Sequence, residues 1–167
     1  MTAIETKFEL LYNSPVIQAK FFSNISSDYK RGLMLFDTGA AVTAISMRIA
    51  DMLGYISIEN QNTEVTGIGG SKYAEYAVIP ELIIGGFNFG AVAVWVVDFS
   101  ENMKSEAILG MNVIKHFNMS IIYDDNSDKM GKIILQPRFS LNEIKTADDF
   151  NYEYSRFGIW NISRSNP

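Results

Sequence analysis

The chain contains no cysteine. Disulfides and thiolate metal ligands are excluded, and the redox compartment goes undiagnosed. It has a single histidine, His116. One imidazole without any thiolate makes a poor metal site, so a packed or surface role is expected for it. A Ser–His–Asp grouping is equally undersupplied, since no Gly-x-Ser-x-Gly occurs. Positive charge is in deficit, with a net charge of −5. That argues against nucleic acid and against an anionic membrane as partners. No run approaches the ~18 apolar residues of a membrane span. The opening residues, Met1 to Lys7, lack a basic segment followed by an apolar one. A soluble, cytoplasmic protein is the expectation. Asn-Ile-Ser at 24 and 161 and Asn-Met-Ser at 118 match the glycosylation pattern, as chance allows in an Asn- and Ser-rich chain.

What is present describes an ordinary globular protein. The 167 residues are 47% hydrophobic, 20% charged and 13% aromatic, enough for one domain with a core and a tail. Lys7 to Tyr12, Val16 to Phe22 and Arg31 to Phe36 read as strands, with a polar loop from Ser23 to Lys30. Ser46 is a candidate N-cap and Gly54 a candidate C-cap for a helix over Met47–Leu53, with Ile49, Met52 and Leu53 on one face. Thr63 to Thr66 and Lys72 to Ile79 read as a hairpin around Gly67-Ile68-Gly69-Gly70, a tip the glycines make mobile. Those glycines match neither a dinucleotide fingerprint nor a phosphate loop. A second hairpin is centred on Gly85-Gly86. Ala91 to Val97 reads as a strand buried on both faces. Ala107-Ile108-Leu109-Gly110 is followed by a short helix carrying Val113, Ile114 and Phe117 on one face. Met119 to Tyr123 and Lys132 to Gln136 are strands around an acidic turn. That turn, Asp124 to Asp128, lacks the Gly and terminal Glu of a calcium loop. Nine or ten short strands with two short helices indicate an all-β barrel or sandwich. Strand–Gly–helix occurs twice, at 33–53 and at 107–117, as two related halves would produce.

One stretch concentrates the chemistry: Leu33-Met34-Leu35-Phe36-Asp37-Thr38-Gly39-Ala40. Four apolar residues read as a buried strand, and Gly39 permits a sharp turn. An isolated Asp-Thr-Gly reads as a surface turn, but the apolar run argues against that here. A carboxylate at the end of such an element is costly unless it has a function. Met34 and Phe36 are expected to flank Asp37 and desolvate it. Two Asp side chains held together share one proton, one carboxyl serving as acid and the other as base. The pair activates a water against a peptide carbonyl. Each Asp then needs a tight, glycine-permitted loop, locked by the neighbouring Thr hydroxyl.

On these residues the chain resembles the retropepsin-type aspartic proteases, single-domain relatives of the pepsins. Three motifs match in order. Leu35-Phe36-Asp37-Thr38-Gly39-Ala40 resembles the catalytic loop. Gly67-Ile68-Gly69-Gly70 is similar to the flap tip that closes over substrate. Ala107-Ile108-Leu109-Gly110-Met111-Asn112 resembles the family's apolar-Gly element before its helix, with Leu109, Gly110 and Asn112 as its structural residues. The resemblance covers residues 7–137 and implies an all-β, acid-protease (retropepsin-like) closed barrel with one or two short helices. It implies a protease domain over 1–137, with an extension of unassigned role over 138–167. That extension is aromatic toward its end, with Phe150, Tyr152, Tyr154, Phe157 and Trp160. It could pair as an edge strand, cover the core or contact a second subunit.

Viral members of the family usually carry an acidic residue four positions after the Asp, paired with an Arg after the third motif's Gly. Here those places hold Ala41 and Met111, and an apolar contact could replace the ion pair. That pattern resembles the cellular or bacterial branch. Only one Asp-Thr-Gly occurs, and no Asp-Ser-Gly. The resemblance therefore implies a homodimer, each copy supplying one Asp37. Implied with it are a protein or peptide substrate bound extended beneath Gly67 to Gly70, apolar pocket walls, an optimum below neutral pH, and no cofactor and no metal. Two other readings stay open: a non-catalytic binding module on the same fold, and an unrelated small-ligand β-barrel in which Asp-Thr-Gly is incidental.

Overall fold

A computed structural model describes residues 3–55, 63–67, 70–99 and 105–138. The strands are β1 (Ile4–Leu11), β2 (Ser14–Ser23), β3 (Asp28–Phe36), β4 (Ala44–Ser46), β5 (Thr63–Gly67), β6 (Gly70–Ile79), β7 (Leu82–Ile84), β8 (Phe87–Asn88), β9 (Val92–Val97), β10 (Ala107–Leu109), β11 (Phe117–Asp124) and β12 (Ser127–Pro137). The helices are α1 (Met47–Leu53) and α2 (Met111–Ile114). Sequence beyond Arg138, with most of the expected extension, lies outside the described residues, as do Ile68 and Gly69 of the expected flap tip.

Alternation drives strand formation from the first element. In β1, Ile4, Thr6 and Phe8 are buried while Glu5, Lys7 and Glu9 are exposed. Tyr12 and Asn13 then turn the chain with φ of 51° and 63°, the pairing a two-residue hairpin favours. β2 and β3 run longer than their apolar cores suggest. They pair from Val16↔Leu35 out to Ser23↔Asp28, so the expected polar loop narrows to a turn at Asn24 to Ser27. Cross-strand hydrogen bonding extends a hairpin past the residues that hydropathy alone selects.

Among the described residues all the strands belong to one sheet of 12, ordered β11-β12-β1-β2-β3-β10-β4-β9-β6-β5, with the β7–β8 hairpin attached to β2. Two pairings are parallel, β10 with β3 and β4 with β9. The two strand–Gly units of the sequence thus lie side by side. Val92, Ala93 and Val94 of β9 are fully buried, as their continuous apolar run implies. β5 and β6 form the expected hairpin, closing with Gly67 opposite Gly70.

α1 is capped as read. The Ser46 side chain accepts from the Ile49 N–H, and Gly54 ends the helix at φ 71°. Ile49, Ala50 and Leu53 face the core, whereas Met52 is exposed. α2 is a single turn, so Phe117, expected on its face, begins β11 instead and is still buried. Phe21, Phe89, Ile17, Met34, Ile45 and Leu109 are among the fully buried side chains that join both halves in one core. Each contributes about 1.5–3 kcal/mol of transfer free energy.

Candidate active site

β3 delivers Asp37 to the middle of the sheet. Met34 and Phe36 are buried, while Leu33 and Leu35 lie on the opposite, more open face. Met34 and Phe36, expected to flank Asp37, lie on the buried face of β3. Asp37 is half-buried; Thr38 and Gly39 are exposed.

The Asp37 loop is fixed from three directions. The Gly39 N–H donates to Asp37 Oδ1 at 2.8 Å, holding the carboxylate against its own turn. The Ala40 N–H donates to the Asp37 carbonyl at 3.3 Å. The Asp37 N–H donates to the carbonyl of Leu109 at 3.1 Å, which ties the loop to the third motif. That motif returns the contact, because the Met111 and Asn112 N–H groups donate to the carbonyls of Ala40 and Ala41 at 2.8 and 3.0 Å. At Ala41 and Met111 backbone hydrogen bonds join the segments, and Met111 packs against the core.

Beneath the loop is a buried polar knot. Asn112 Oδ1 accepts from the Thr43 N–H at 2.7 Å and from the Thr43 hydroxyl at 2.8 Å. Asn112 Nδ2 donates to the carbonyl of Ala93 at 3.0 Å. The Gly110 N–H donates to Thr43 Oγ1 at 3.1 Å. Thr43 and Asn112 are 0% and 2% exposed, so each bond made here avoids the desolvation cost of an unpaired polar atom. Gly110 is required by proximity: a Cβ there would sit 2.4 Å from the carbonyl carbon of Val42. Thr43 is the residue that sequence reading missed. Nothing in a β-branched stretch distinguishes a hydroxyl that will meet an amide 69 residues away.

Asp37, Thr38, Gly39 and Ala40 are thus brought against Leu109, Gly110 and Asn112. Gly67 and Gly70 sit at the end of the β5–β6 hairpin. A groove of about 700 Å³ lies elsewhere, along β1, β2 and β3, lined in part by Glu5, Lys7, Lys20, Arg31 and Leu33 but not by Asp37. The carboxylate is the better guide to chemistry.

Residues 24–113 match the aspartyl protease family. The fold is similar to that of a retropepsin-like aspartic protease from Rickettsia conorii, with a TM-score of 0.55 and 18% identity over 80% of this chain and 92% of that one. An EIAV protease complexed with an inhibitor aligns with a TM-score of 0.48 and 19% identity, over 64% of this chain and 92% of that one. No curated protein matches the chain. The family match takes in the Asp37 loop, the β5–β6 hairpin and the Gly110 element together: the chain belongs to the aspartyl protease family.

Proposed function

We propose that the protein is an aspartic endopeptidase, active as a homodimer. The observation that carries this is the tethering of a single Asp-Thr-Gly loop, at the end of a buried strand, to the second strand–Gly unit. The loop is held by these hydrogen bonds and its carboxylate is half-buried, yet the sequence has only one Asp-Thr-Gly. A twofold axis beside Asp37 supplies the second. One carboxylate then takes a proton from a water, whose oxygen attacks the peptide carbonyl carbon. The protonated partner donates to the carbonyl oxygen. Collapse of the tetrahedral intermediate breaks the C–N bond as the nitrogen takes a proton. Thr38 and Gly39 hold the loop, and exposed Thr38 is suited to a contact across the axis. The β5–β6 hairpin is the flap, pairing with an extended peptide as an added strand. Leu33 and Leu35 favour apolar side chains next to the cleaved bond. The chemistry calls for no cofactor.

The test offers wild type and Asp37→Asn a diverse peptide library across about pH 4–7 at two enzyme concentrations, the range in which a shared-proton carboxyl pair works. Cleavage by wild type alone, rising faster than linearly with enzyme, is expected. Cleavage that survives Asp37→Asn sinks the mechanism. A monomer that cleaves nothing and binds peptides leaves the non-catalytic module in its place.

A further inference from the structure

We infer that the groove along β1, β2 and β3 binds an acidic, extended segment of the protein substrate, several residues away from the cleaved bond. The substrate half of this inference rests on the protease reading of Asp37; the binding half does not. The groove exists because β2 changes neighbours along one edge. β3 takes the other edge, from Val16↔Leu35 to Ser23↔Asp28. On the remaining edge residues 14–17 pair with β1, whereas residues 19–21 pair with β7. β1 and β7 therefore part at Gln18, and a space of about 700 Å³ opens where they diverge. Backbone closes its far end. The turn of the β7–β8 hairpin sits so close on β1 that a Cβ at Gly85 would lie 2.5 Å from the Glu5 carbonyl oxygen. Along β1 the lining runs from Glu5 to Leu11. That is about 20 Å of strand, the length of an extended segment of about six residues and too long for one small anion.

Charge selects the occupant. Lys7, Lys20 and Arg31 line the groove and are exposed. Lys20 stands directly opposite Arg31 across β2 and β3, and Lys7 directly opposite Lys132 across β1 and β12. Like charges facing each other on one sheet are destabilising. Of the two carboxylates in the lining, Glu5 is taken by Lys132 at 3.2 Å, which leaves Glu9 against the three cations. Among the described residues none of those cations has an ion-pair partner. A chain with a net charge of −5 thus gathers unpaired positive charge in its groove. A carboxylate between Lys20 and Arg31 relieves their repulsion, and the guanidinium can take it with two N–H donors. Leu33 and Met130, 54% and 47% exposed, offer the same segment an apolar contact. The net negative charge sets aside nucleic acid, which carries the same sign. β3 joins the groove to the chemistry. Leu33 and Arg31 precede Asp37 on one chain segment, and Arg31 lies within about 20 Å of it along the strand. A substrate cut at Asp37 therefore reaches the groove with roughly six further residues. Binding so far from the reacting bond is the same in the ground and transition states, so it lowers KM and leaves kcat in place.

The probe is a labelled hexapeptide of Asp and Glu around a central Leu, with a copy carrying Lys at the acidic positions as control. Titrated into the full-length Asp37→Asn protein at low salt, the acidic peptide should bind saturably and more tightly than the Lys copy. High salt should weaken it at least about tenfold. Lys20→Glu with Arg31→Glu, made in the same background, should reverse the preference by about tenfold or more, and its binding of the Lys copy shows that it folds. Lys7→Gln, a milder change, should weaken the acidic peptide about threefold. With the wild-type chain, a cleavable peptide extended by the acidic hexamer should show KM about fivefold or more below its Lys-bearing copy at equal kcat, and the charge-reversed chain should invert that ratio. Equal affinity of the acidic peptide for the Asp37→Asn protein and its charge-reversed form overturns the groove as the site, and so does no binding at all. Acidic-peptide binding that appears only with Asp148→Lys and Asp149→Lys in the full chain gives the groove to the C-terminal extension and overturns the substrate assignment. Binding as expected with no cleavage by wild type keeps an acidic-peptide site but sinks the protease reading, and the role in substrate choice with it.

Discussion

Asn112 holds three parts of the chain together, bonding to Thr43 twice and to Ala93 once while almost wholly buried. Asn112→Leu strips a partner from two Thr43 donors and from the Ala93 carbonyl. A loss of about 2–4 kcal/mol is expected in denaturant unfolding, with the Asp37 loop loosened through Ala41. Asp37→Asn should behave oppositely: unfolding unchanged, peptide cleavage down by at least about 10²-fold. Tyr55 offers a pH readout. It is buried, its hydroxyl donates to the Phe22 carbonyl at 2.7 Å, and burial raises its pKa well above the ordinary 10.0. A raised pKa means the folded state keeps the proton longer. The stabilisation is whole below the unfolded value and is lost as pH rises through the folded one. Tyr55→Phe should therefore cost about 1 kcal/mol near neutrality, and that cost should shrink in unfolding curves taken above about pH 10.

At the scale of elements, the close approach of the segments after β10 and before β4 decides the geometry of the site. Gly110 passes so close to Val42 that no side chain fits between them. Gly110→Ala must push the backbones apart, breaking the Gly110–Thr43 bond and shifting the Leu109 carbonyl that holds Asp37. Destabilisation of more than about 3 kcal/mol is expected by thermal or chemical unfolding, at the high end for a single substitution. Ser46→Ala provides a contrast. It removes one N-cap bond from α1, costs about 1 kcal/mol, and leaves activity in place because α1 does not touch the Asp37 loop's hydrogen bonds.

For the whole molecule, a single Asp-Thr-Gly in the sequence makes oligomeric state part of the proposed chemistry. If the homodimeric reading holds, specific activity and melting temperature both rise with protein concentration, because the partner binds only the folded chain. Measuring the two across a dilution series checks this. A melting temperature indifferent to concentration, with activity proportional to enzyme, removes the need for a second copy.

Much of this could be read from residues alone, because strand alternation, helix caps and turn glycines are local. The capping of α1 by Ser46 and Gly54, the buried run of β9 and the hairpin ending at Gly67 and Gly70 all follow from short-range preferences. The Asp-Thr-Gly motif and the lack of a second copy needed only counting. Other features depend on residues far apart in sequence. The Thr43–Asn112 knot and the backbone bonds from Met111 and Asn112 to Ala40 and Ala41 arise where β3, β4 and β10 meet. The place of β11 at one end of the strand order among the described residues is of the same kind. Local preference selects each element, but which side chain loses its water depends on what the rest of the chain lays against it.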